Sequence, residues 1–113
     1  MKMKTNELTG AALDWAVAKC EGWIDDCNGW LYQATLQEVA EGNYKPSTDW
    51  AQGGQIVEEN NISIICMSTG HWGAHPVIGD HPFIYGNTPL IAAMRCYVAS
   101  KLGDEVDVPE EVK

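Results

Sequence analysis

Near the start of the chain, apolar residues fall into two stripes at helical spacing. Leu13, Val17 and Cys20 form one, and Leu8, Ala12, Trp15 and Ala16 the other. The pattern predicts a helix from Glu7 to Glu21, capped by Thr5 or Asn6 and ended by Gly22. Apolar cover this wide belongs to a mostly buried helix, which leaves Asp14 stranded among Gly10, Ala11, Val17 and Ala18. A second helical stripe runs near the other end, from Thr88 to Leu102, through Leu90, Ile91, Met94, Tyr97, Val98 and Leu102. Asn87 or Thr88 caps it, Pro89 takes its first turn and Gly103 stops it.

Between these helices the period changes. Ile62 to Met67 is the best strand, entered by an Asn60-Asn61 turn. Ser47 or Thr48 opens a shorter helix through Glu59, with Asp49 at its positive end. Gly53-Gly54 inside it costs about 1 kcal/mol per glycine relative to alanine, so something approaches that backbone closely or the helix breaks there. Trp30 to Val39 reads equally as strand or short helix. Ser68 to Asn87, with four Gly, two Pro and three His, reads as a long loop. The sum is an α+β fold, three helices packed on a small, mainly antiparallel sheet, in a single domain over residues 1–113.

Charge alters this picture in one place. Sixteen acidic residues against seven basic give a net charge of −9, and the stretch from Asp104 holds five carboxylates against Lys113 alone. That stretch, residues 104–113, reads as a solvated acidic tail. The field repels phosphate backbones and anionic membranes, so neither nucleic acid nor membrane is expected as a partner. Met1-Lys2-Met3-Lys4-Thr5 lacks the apolar run of a secretion signal, and no stretch reaches membrane-span length. A cytoplasmic location with four reduced thiols (Cys20, Cys27, Cys66, Cys96) is therefore expected.

Candidate chemistry is sparse. His71, His75 and His81 have no helical pairing and favour local hydrogen bonding over metal, so no metal and no cofactor are expected. No cysteine lies in a nucleophile signature and no Walker-type loop is present, so the reading leans away from an enzyme, with a small hydrolase as a third possibility. Binding has better candidates. Ser47, Thr48 and Asp49 at a helix start offer amides and hydroxyls to an anion or a sugar, and Trp15, Tyr44 and Trp50 offer rings for stacking. Five Trp beside a single Phe favour that use. Arg95 sits between Ile91, Ala92, Val98 and Ala99, on apolar ground where a cation needs a partner. That partner is either Asp14 or the anionic group of a ligand.

Three stretches, Glu7 to Ala18, Tyr44-Lys45-Pro46-Ser47-Thr48-Asp49-Trp50 and Thr88 to Arg95, resemble the NinX-like proteins, small accessory proteins of tailed phages and prophages of enteric bacteria. The family name brings no chemistry. The resemblance implies host cytoplasm, and by analogy with other small phage proteins an anti-defence sponge, a homo-oligomer that sequesters a nucleotide-derived immune signal. The alternative is an acidic inhibitor that occludes a host enzyme by charge mimicry.

Overall fold

A computed structural model describes residues 2–22, 33–76 and 83–112. Its elements run β1 (Lys2–Lys4), α1 (Gly10–Cys20), α2 (Gln33–Ala40), α3 (Trp50–Glu59), β2 (Ile62–Ser68), β3 (His71–Pro76), β4 (Ile84–Gly86), α4 (Pro89–Leu102) and β5 (Glu105–Asp107). Short 3₁₀ turns lie at Thr5–Glu7 and Glu110–Val112. The fold is α+β, with antiparallel sheets ordered β1-β5 and β2-β3-β4. Cys27, His81 and the start of the Trp30–Val39 segment lie outside the described residues, and the rest of that segment is helical in α2.

The two long apolar stripes form the centre. Leu13, Trp15 and Val17 of α1 and Met94 and Val98 of α4 are fully buried in one cluster, where the two helices pack together. Leu90 of α4 is buried and lies against α3. There a Cβ on Gly53 would collide with the Pro46 carbonyl and stand 2.7 Å from a Leu90 methyl, so a close approach is why this helix tolerates glycine. Gly54 meets no such obstacle: its Cβ would lie 3.6 Å from the Trp50 ring, an ordinary contact. Capping also differs from expectation. Thr88 caps α4 through a 3.1 Å bond to the Ile91 amide, but Asp49, rather than Ser47 or Thr48, caps α3 by accepting from Ala51 at 3.0 Å.

Two expectations are corrected. The Ser68–Asn87 segment is not one long loop, since it carries β3 and β4. Their strands pair Ile64 with Ala74, and Ala74 with Ile84. The glycines that suggested a loop permit close packing: a Cβ on Gly86 would stand 2.7 Å from the Ala92 amide nitrogen, so β4 lies directly on the first turns of α4. The acidic segment from Asp104 is not a solvated tail. β5 pairs with β1, Met3 opposite Val106, and Val106, Val108 and Val112 are buried. Glu105 and Asp107 sit at the alternate, exposed positions of β5, while Val106 between them faces inward.

Candidate functional site

Arg95 and Asp14 do not pair. The Arg95 Nε donates to the Leu8 carbonyl and Nη1 to the Tyr85 carbonyl, both at 2.8 Å. Asp14 Oδ1 accepts the Ser47 amide at 2.9 Å. Burial pushes the Asp14 carboxyl above its ordinary range, and the nearby Ser47 hydroxyl and amide oppose the rise. That hydroxyl is close enough to act electrostatically yet makes no hydrogen bond of good geometry, so the amide is the firmer of the two contacts.

The clamp on Arg95 grows out of the local packing. Gly86 brings β4 down onto α4, which places the Tyr85 carbonyl within reach of the guanidinium. On the other side the N-terminal segment is tied to the end of α4. The Thr5 amide donates to Asp104 O at 2.8 Å and its hydroxyl to Gly103 O at 2.6 Å, which holds Leu8 O where Nε can find it. Two of five guanidinium N–H groups are thus committed to carbonyls, acceptors that carry no formal charge. Burial lowers the Arg95 pKa and Glu7 opposes this, but a guanidinium keeps its charge at any physiological pH.

Arg95 opens into a cleft of about 720 Å³ beside β4. His71, Phe83 and Tyr85 supply rings at its rim, Lys4 a second cation, and Asp104 and Glu105 two carboxylates. The His71 and Tyr85 rings stack on each other, with centroids 5.0 Å apart and planes 18° apart. Asn87 and Ser100 add neutral polar groups. The arrangement suits a ligand with a flat part, a single anionic group and hydroxyls or amines that meet the carboxylates. Cys96 also lines the cleft, and burial pushes its thiol up to about 11, so it is protonated at neutral pH and a poor nucleophile.

The remaining sequence candidates are dispersed. Trp15 is fully buried, with the Lys19 ammonium 5.3 Å from the ring centre, and presents no free face for stacking. Trp50 stands on the surface at the start of α3, 54% exposed. Tyr44 borders a separate, smaller groove with Glu21, Glu38 and Glu59, and burial pushes its hydroxyl far above the usual range. The helix-start amides are already used: Ser47 donates to Asp14, Thr48 and Asp49 to Lys45 O, and Ala51 to the Asp49 side chain. Arg95 alone of these candidates reaches the larger cleft. The ring residues beside it were missed because the segment read as loop. The signal was present in the alternation, where His71, Gly73 and His75 take every second position.

Among the described residues no group of three or more His, Cys, Asp or Glu could hold a metal ion, and no helix is long and apolar enough to cross a membrane. Cys20, Cys66 and Cys96 are free thiols. No curated protein matches the chain. The family model of bacteriophage P22 NinX, however, matches residues 4–101, nearly the whole length. The chain belongs to the NinX family of phage proteins.

Proposed function

We propose that this phage accessory protein binds a small nucleotide-like ligand in the cleft over Arg95, and that it acts in the host cytoplasm as an anti-defence sponge. One observation carries the reading: an arginine held by hydrogen bonds to two backbone carbonyls at the edge of a ring-lined cleft. Preorganised donors lose little freedom on binding, so such a clamp favours an anion that approaches from the cleft. The volume of about 720 Å³ lies within the range of small-molecule sites, of the order of 300–1,000 Å³. On this reading a base lies against His71, Phe83 and Tyr85, and sugar hydroxyls donate to Asp104 or Glu105. Sequestration needs only binding, which agrees with the protonated Cys96 and the lack of a nucleophile signature. A homo-oligomer belongs to the same reading.

The charge-mimic alternative finds its best surface at Glu21, Glu38 and Glu59 around Tyr44, on the α1–α3 side of the molecule. Calorimetric titration with a panel of mono-, di- and cyclic nucleotides separates the two. Binding that is lost in Arg95→Lys, which keeps the charge but not the two-carbonyl clamp, supports the cleft. No heat with any nucleotide, together with tight binding of a basic host enzyme, supports mimicry instead.

A further inference from the structure

We propose that the outer face of the β2-β3-β4 sheet is a self-association surface, on which a second copy of the chain docks face to face. Register places Ser63 opposite His75, Ile65 opposite Gly73, and Gly73 opposite Tyr85, so these side chains share one face. Met67 and Phe83 join them, since a Cβ on Gly73 would lie 3.5 Å from Met67, 3.3 Å from Phe83 and 3.4 Å from Tyr85. The opposite face carries the buried Ile62, Ala74 and Gly86 and is covered by α4.

Two properties set the outer face apart. Ile65, Met67, Phe83 and Tyr85 are 45%, 48%, 37% and 42% exposed, and among the described residues only Trp50 is another exposed large hydrophobic. The largest apolar patch on a monomer surface, typically about 300–600 Å², is often a functional one. Among the described residues the face also carries no Asp, Glu, Lys or Arg, only His71 and His75 as titratable groups, in a chain of net charge −9. Charge selects the occupant. Two copies repel each other, and an approach through any carboxylate-rich surface brings like charges together. This neutral face is where that cost is smallest, and two sheets can stack here about 10 Å apart with rings and methyls between them. A basic partner would gain nothing from a face without carboxylates.

The size of the face limits the strength of the contact. Seven residues of β2 at about 3.3 Å each, across strands about 4.8 Å apart, give a footprint of about 300 Å². A standard interface has about 800 Å² per partner, so the dimer is weak, with a Kd in the micromolar range. Salt should tighten it, because screening removes the residual repulsion while apolar contacts persist. Phe83 and Tyr85 belong both to this face and to the cleft lining, whereas Ile65 and Met67 lie outside that lining and report on the face alone.

Sedimentation velocity of the full chain over about 1–200 µM, at low and moderate salt, reads this directly. The expected result is a monomer–dimer equilibrium, tighter at higher salt and weakened at least tenfold in Ile65→Lys and in Met67→Lys with unchanged melting temperatures. Ile65→Thr, which keeps strand propensity, serves if a lysine variant unfolds, and it too must weaken the dimer. A wild-type protein that stays monomeric throughout overturns the proposal, as does a folded variant that dimerises as well as the parent. Loss of nucleotide binding in Arg95→Lys with the dimer intact concerns the cleft alone.

Discussion

The Arg95 guanidinium and the Tyr85 backbone carbonyl are joined at 2.8 Å, a contact that places a cation at the edge of a strand whose rings line the same cleft. A partner carboxylate would have neutralised that cation. A carbonyl orients it and leaves its charge available.

Asp14 and Arg95, both stranded by their helical neighbours, are satisfied separately by Ser47 and by two carbonyls. Asp14→Ala strands the Ser47 amide and Arg95→Ala strands two carbonyls, so each should cost about 1–3 kcal/mol. The double variant should be additive within about 0.5 kcal/mol in denaturant unfolding. Strong coupling would restore the ion pair.

The buried Asp14 carboxyl also governs part of the pH response. Its folded pKa is raised, so relative to the unfolded chain this group favours the fold at low pH. That contribution is lost as pH rises from the ordinary carboxylate range through the raised value. Asp14→Asn keeps an oxygen for the Ser47 amide and carries no charge. It should be at least as stable as the parent at pH 7, and its stability–pH curve should be flatter across that interval. A variant markedly less stable at pH 7 would show that the ionised carboxylate is favoured.

The adjacent glycines of α3 should respond in opposite directions. Gly53→Ala drives a methyl into the Pro46 carbonyl and Leu90 and should cost about 1–3 kcal/mol. Gly54→Ala meets only an ordinary contact with Trp50 and should stabilise by up to about 1 kcal/mol. Thermal melts of the two single variants settle both signs.

Much of the fold was legible because α1 and α4 carry long, regular apolar stripes and β2 a β-branched run. What escaped notice was written in short elements. β3 mixes Gly73 and Pro76 with His71 and His75, which mimics loop composition, and β5 hides one inward valine, Val106, between two carboxylates. Arg95 was legible as a residue needing a partner. Its actual partners are backbone carbonyls of Leu8 and Tyr85, and backbone acceptors leave no trace in residue identity.

The closing strand gives a further check. Deleting residues 104–113 removes Val106, Val108 and Val112 from the core along with the pairing of β5 to β1. A buried valine contributes about 1.5–3 kcal/mol, so the truncated chain should lose most of a small domain's stability. A truncation that melts with the parent would mean the segment is solvated after all.

Native mass spectrometry of the protein purified from phage-infected, defence-active cells tests the ligand-binding account most directly. The account predicts a co-purifying small molecule of nucleotide mass on the wild-type chain, absent from an Arg95→Lys variant with an unchanged melting temperature. A ligand retained in full by that variant, or a wild-type chain that carries none and binds no nucleotide in titration, would contradict it.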